Sequence, residues 1–435
     1  MKKNKTTRTQ YFLERCIGAA MAASALSIAS IAAADDLEYM IWPSEGLFPG
    51  YPDRELERPF SAYADTTIGW DDNVFRLTDD APPVPVDADD EGDRADLFVK
   101  AGAGAQGKVD FSRQSFQFDI NAAHYGFDTY SMLDTWVYSG KADFFWVIGD
   151  RLKGAFGYTR SEQLPDFGEV QFATDDKVTS QYGHFGLDWR MLNRLELRLL
   201  AEGFRYDHKD ETRALLDNRV KSGTAGLFYI APTGFSIGVQ HRAAEGEYPN
   251  RELVGVTFVD NMYEESESSL MVQAPFATTG GFDLRVGYTQ RKHEDVPDRD
   301  FDGTTGRAQL RFAPSPKIFI DLAGYRELRA IEELAASYAV VDGGSFGPAW
   351  AISSKVVLQA AYVYEQRDFD GDPGFVIADA PPREDKTHIG RISLGYRPNY
   401  HFEGVLAFEH GKRDANFELA RYDYNLVTLS LKAAL

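Results

Sequence analysis

The chain has 435 residues and a formal charge of −21, with 26% charged and 13% aromatic residues. So acidic a surface argues against binding a phosphate backbone. A single cysteine, Cys16, leaves neither a disulfide framework nor a thiolate metal centre.

At the N-terminus, Lys2, Lys3, Lys5 and Arg8 make a basic head, and Ile17 to Ile31 make an apolar stretch rich in Ala and Ser. Ala32-Ala33-Ala34 then supplies a small-residue cleavage site, which completes the pattern of a secretory signal peptide over 1–34. A retained anchor is the competing reading, but the diluted apolar run and the cleavage site both argue against it. The basic Lys2, Lys3, Lys5, Arg8 and Arg15 and the acidic Glu14 fall in this segment, so the rest of the chain carries −25 and no cysteine. Residues 35–59 read as a short periplasmic lead and 60–435 as one domain.

No later apolar run is long enough for a spanning helix. Instead, strict two-residue alternation recurs: Phe116, Phe118, Ile120 and Ala122 are apolar between polar neighbours, as are Leu195, Leu197 and Leu199, then Phe282, Leu284 and Val286. Ala308, Leu310 and Phe312 repeat the pattern, and Val427, Leu429, Leu431, Ala433 and Leu435 end the chain with it. Such strands have one apolar and one polar face.

About 18 strands are predicted, starting near 60, 95, 113, 135, 150, 178, 194, 219, 234, 262, 280, 304, 316, 337, 354, 386, 400 and 424. The links alternate in length. Tight ones occur at Asp110-Phe111-Ser112, Met191-Leu192-Asn193, Ala231-Pro232-Thr233, Ala313 to Pro316 and Arg397-Pro398-Asn399. Long acidic or Pro-rich ones run from Asp71 to Arg94, Gly246 to Asn261, Lys292 to Gly303 and Asp368 to Asp385. The expected fold is therefore all-β: a transmembrane antiparallel up-and-down β-barrel in the outer membrane of a Gram-negative bacterium, with short periplasmic turns and long extracellular loops. An exported soluble sandwich or propeller is the alternative, but no repeat of propeller length is present. Trp70, Trp136, Trp146, Tyr158 and Trp189 lie near strand ends, where aromatic girdles sit.

If the apolar parity faces lipid, Arg151, Lys153, Glu196, Arg198, Glu202, Asp283, Arg285, Arg307, Arg311, Asp321, Arg391, Glu403 and Glu409 point into the barrel. These are the candidate pore-lining residues; the competing role is to pair with one another and brace the wall. Asp298, Asp300 and Asp302, followed by Gly303, match the first half of a calcium loop, so calcium in an extracellular loop is a candidate ligand. The twelfth position is Gln309 in place of a bidentate Glu, and a solvated acidic loop is the alternative. No nucleophile elbow or paired zinc-binding His motif is present and the His residues are scattered singly, so no enzyme activity, catalytic residue or other cofactor is expected.

The first strand and its exit read Thr67-Ile68-Gly69-Trp70-Asp71-Asp72-Asn73-Val74-Phe75-Arg76-Leu77. Placed after a signal peptide and a short lead, this stretch resembles the start of the EpsL-like, exopolysaccharide-associated outer-membrane barrels of the β-barrel porin-2 class. The resemblance implies a barrel linked to polysaccharide secretion, whose partners would be outer-membrane lipids and lipopolysaccharide, a polysaccharide substrate and periplasmic export components. The leading expectation is thus a passive pore for an exopolysaccharide or related polymer. A general or small-solute diffusion porin is the alternative, and a barrel for adhesion or structure the third. Asp71-Asp72-Asn73 is expected to be a strand-exit turn, because Asp and Asn readily bond nearby backbone.

Overall fold

The computed structural model describes residues 59–86, 92–169, 176–250, 253–254, 257–258, 262–276, 280–295, 297–329, 336, 338–371 and 382–435. The expected signal peptide and nearly all of the periplasmic lead lie outside the described residues.

The sheet begins with β1 (Ser61–Asp71), β2 (Asp96–Phe111), β3 (Gln114–Phe127), β4 (Thr135–Ile148) and β5 (Leu152–Gln163). It continues with β6 (Val178–Leu192), β7 (Leu195–His208), β8 (Asn218–Ile230) and β9 (Ser236–Glu247). A small ladder, β10 (Leu253–Val254) with β11 (Thr257–Phe258), lies in the next loop and apart from the main sheet. Then follow β12 (Tyr263–Pro275), β13 (Gly280–His293), β14 (Phe301–Ser315), β15 (Ile318–Arg329) and β16 (Tyr338–Ser353). The last four are β17 (Val356–Asp370), β18 (Glu384–Asn399), β19 (Phe402–Ala415) and β20 (Tyr422–Ala434).

Each main strand pairs antiparallel with its neighbours, and β1 pairs with both β2 and β20, so eighteen strands close into a barrel. Every strand start lies within three residues of the position expected from alternation. Closure removes the sheet edges, and all backbone polar groups of the wall can then bond within it, which is what a bilayer demands.

The parity follows the expectation. On β19 and β20, Leu406, Phe408, Val427, Leu429 and Leu431 are exposed on the outer face, and on β3, β8 and β18 so are Ile120, Leu227 and Ile392. Trp70, Trp136 and Trp189 are also exposed outward near strand ends, and Tyr158 is exposed outward at the middle of β5. A closed antiparallel barrel with this belt is an outer-membrane β-barrel of a Gram-negative bacterium. Among the described residues no helix is long and apolar enough to cross a membrane.

Inside, the wall is panelled by aromatic rings laid flat on glycines of the next strand. A methyl group at Gly411 would stand 2.1 Å from the Tyr424 ring, one at Gly246 2.0 Å from Tyr263, and one at Gly104 2.3 Å from Tyr63. Gly343 and Gly238 make the same room for Tyr325 and Phe228, at 2.5 and 2.4 Å. A cation covers the other side of each ring: Arg76 lies 3.6 Å over Tyr424, Arg291 4.1 Å over Tyr263, and Lys432 4.2 Å over Tyr63. Arg307 and Arg198 cover Tyr325 and Phe228 at 5.1 and 4.0 Å. The negative ring face attracts the cation, so each panel fixes a guanidinium or ammonium group against the wall.

The seam between the first and last strands is clamped by the strand-exit turn. Asp72 accepts hydrogen bonds from the Asn425 backbone N–H at 2.6 Å and from its side-chain amide at 2.7 Å. Asn73 donates to the carbonyls of Leu77 and Asp423, both at 2.8 Å, and accepts from the Leu77 N–H. Asp71 accepts from the Asn73 N–H and from Arg76, at 3.0 and 2.8 Å. The Asp-Asp-Asn run therefore closes the barrel and binds its own backbone.

Candidate lumen site

Beyond the turn, Val74, Phe75 and Leu77 form a buried cluster with Tyr130 and Leu133 of the β3–β4 loop. Phe167 of the β5–β6 loop joins it, its ring centroid 5.2 Å from that of Phe75. Three extracellular loops thus share one small core.

The β5–β6 loop goes further. It contains a tight turn, with the Gly168 N–H donating to the Asp166 carboxylate at 2.7 Å and the Glu169 N–H to the Asp166 carbonyl at 3.0 Å. Glu169 Oε1 accepts from Arg367 of β17 and from Arg413 of β19, each at 2.7 Å. Arg413 also donates to the Gly168 carbonyl at 2.7 Å. In the ring of strands β17 stands almost opposite β5 and β6, and Arg367 and Arg413 lie near the extracellular ends of β17 and β19, so the loop reaches across the barrel's extracellular mouth and is pinned on the far side.

The pinning pair is held from behind. Arg367 donates to Glu365 at 3.0 and 3.2 Å, and Glu365 also binds Arg329 at 3.0 and 3.1 Å and Tyr325 at 2.8 Å. Arg413 faces the Tyr422 ring at 4.8 Å. Arg383 binds Asp385 beside it at 2.6 and 2.9 Å. Burial by itself would raise the pKa of Glu169, but the guanidinium groups of Arg413, Arg367 and Arg383 hold it well below the usual carboxylate range. Elsewhere among the loops, Asp176 accepts the N–H groups of Lys209 and Asp210 at 3.0 and 2.9 Å, while burial pushes its pKa up.

The residues anticipated as pore-lining are distributed along the inner wall, except Arg151, which sits exposed in the turn before β5. Lys153 pairs with Asp188 at 3.4 Å, and Glu196 with Arg190 and Arg198 at 3.2 and 2.9 Å. Glu202 accepts from Tyr182 at 2.7 Å and Ser222 at 3.2 Å. Arg285 reaches Glu267 at 3.2 Å and Glu327 at 3.6 Å, and Arg307 meets the same Glu327 at 3.6 Å. Arg311 lies 3.9 and 3.8 Å from Asp283 and Asp321, and Arg391 3.9 Å from Glu409. Arg397 pairs with Glu403. These pairs join the same or nearby strands, so they neutralise charge along the wall and brace it, the alternative role considered for them.

Two of the three aspartates of the calcium-like loop have partners of their own. Asp300 accepts from the His293 N–H at 2.7 Å, and Asp302 lies on β14 with the Tyr288 hydroxyl donating to it. Among the described residues no three carboxylate, His or Cys side chains gather as a cation site would require.

Sequence reasoning missed Glu169, Arg367, Arg413, Arg329, Glu365 and Asp385. On β17 the inward row also holds Val363 and Phe369, and the outward row holds Gln366 and Asp368, so polarity does not mark the inner face there. Glu169 sits in a loop, where no periodicity applies.

No protein-family description matches the chain, and no curated protein matches it. The EpsL-like resemblance at Thr67 to Leu77 therefore finds no support in either comparison. Solved structures do match in shape. Pseudomonas aeruginosa OpdK, crystallised with vanillate, is 10% identical with a TM-score of 0.45, over 87% of this chain and 100% of that one. OccK2 (OpdF) of the same organism, in complex with glucuronate, is 11% identical with a TM-score of 0.46, over 87% and 99%. Its OprD is 12% identical with a TM-score of 0.43, over 87% and 96%. The chain's own sheet is a closed antiparallel barrel of eighteen strands.

Proposed function

We propose that the protein is a passive diffusion pore for small hydrated solutes. The observation that carries this reading is the β5–β6 turn pinned by Glu169 to Arg367 and Arg413, which lays chain across the mouth of a barrel of eighteen strands. A passage narrowed in this way suits a small solute better than a polysaccharide strand. The wall supports the same reading, because its paired charges and hydroxyls offer weak polar contacts at many heights without one deep trap.

The test is swelling of liposomes that hold the purified protein, in neutral sugars of increasing size. Arabinose should enter readily and a trisaccharide should be excluded. Equal entry of long maltodextrins would refute the reading and return polymer export to first place.

A further inference from the structure

The Glu169 contact has the form of a bound ligand. One carboxylate oxygen is held at 2.7 Å by guanidinium groups from two different strands, and both arginines are less than 9% exposed. We propose that Arg367 and Arg413 form an oxyanion-binding site that the protein fills with its own Glu169, and that a small carboxylate- or phosphate-bearing solute displaces Glu169 as it passes. This deepens the small-solute reading and rests on it.

The site is built without the turn's help. Glu365 holds Arg367 from behind, and Arg413 packs against the Tyr422 ring with the Asp385 carboxylate 3.8 Å from its Nε. That buried Nε has no hydrogen-bond partner among the described residues. Preorganised guanidinium groups recognise carboxylate and phosphate alike, since both present oxygens at the fork spacing.

The occupant, in contrast, is a side chain that can swing away, while Phe167 keeps its turn anchored in the loop core. Residues Asp166 to Glu169 also bond within the turn, through two hydrogen bonds to Asp166, so the turn can keep its shape when the Glu169 carboxylate lets go. Undocking alone would strand buried guanidinium charge, which is costly. Exchange for an incoming anion leaves the number of buried charges unchanged. A neutral solute or a cation has no such route, so the exchange selects anions while the turn keeps the site filled in their absence.

The experiment uses the full protein in planar bilayers, with succinate as the probe and ionic strength held constant. Succinate should modulate the single-channel current saturably in the native protein. In Glu169→Gln, which removes the internal competitor's charge, half-saturation should fall about tenfold. Arg413→Gln should abolish saturation. Modulation that does not saturate, or that survives in Arg413→Gln, overturns the proposal. If Arg413→Gln fails to assemble, Glu169→Gln decides alone: a half-saturation equal to that of the native protein overturns it. Arabinose swelling is measured on the same preparations. Arabinose entry without succinate saturation rejects the anion site and leaves the pore standing, whereas failed arabinose entry rejects the pore itself.

Discussion

Glu169 and Arg367 are 198 positions apart in the chain and 2.7 Å apart in space, joined from almost opposite sides of the barrel. That bond, with its twin to Arg413, makes the lumen more than a lined tube, because a loop is held across its mouth by charge.

Replacing Glu169 with Ala should release the turn. Removing one partner of a buried ion pair typically costs about 3–5 kcal/mol, here from docking of the loop. Single-channel conductance should rise and the sugar size limit in liposome swelling should move up, with the barrel's heat-denaturation midpoint little changed. Unaltered conductance would mean that the turn does not narrow the path.

Docking should also depend on pH in a defined direction. The docked Glu169 carboxyl is held below its ordinary value, so its contribution is fully present above the undocked pKa of about 4.3 and is lost as pH falls from there towards the docked value. Arabinose swelling rates should be flat from about pH 8 to pH 5 and rise below about pH 4. Glu169→Gln, which has no carboxyl to titrate, should lack that rise.

The glycine panels predict a contrast between two similar substitutions. Gly411→Ala places a methyl 2.1 Å from the Tyr424 ring, whereas at Gly203 nothing lies within 4 Å. The first should destabilise the barrel by about 1–3 kcal/mol, as overpacking does, and the second by less than about 1 kcal/mol. Urea unfolding in detergent micelles, followed by tryptophan fluorescence, would measure both.

Asp72→Ala removes two hydrogen bonds to Asn425 at the first-to-last strand seam. Bonds to a charged acceptor contribute about 1.5–3 kcal/mol each, so the denaturation midpoint should drop clearly. Amide exchange should quicken first at the extracellular ends of β1 and β20. Uniform quickening around the barrel would contradict a local clamp.

Leu406 faces outward on β19 and is 52% exposed in the isolated chain. Leu406→Arg should cost about 2–4 kcal/mol in a lipid bilayer if it stands near the midplane. The same change in a soluble β-protein would be nearly silent, so folding titrations into liposomes test the membrane assignment directly.

The fold was legible in the sequence because a lipid-facing strand must show apolar residues at every second position and a bilayer admits only closed sheets. Alternation at Ile120, Leu197 and Leu429 and the unequal loop lengths determined strand number, topology and which face is greasy. Alternation could not say which charges meet, since that depends on register between strands. The Asp71-Asp72-Asn73 run read correctly as a strand exit, but its partner Asn425 lies at the other end of the chain and became visible only when the barrel closed. Glu169 had no periodic neighbour to mark it. Its place against Arg367 and Arg413 was decided by the tertiary structure alone, because only closure brings β17 and β19 within reach of a loop that leaves β5.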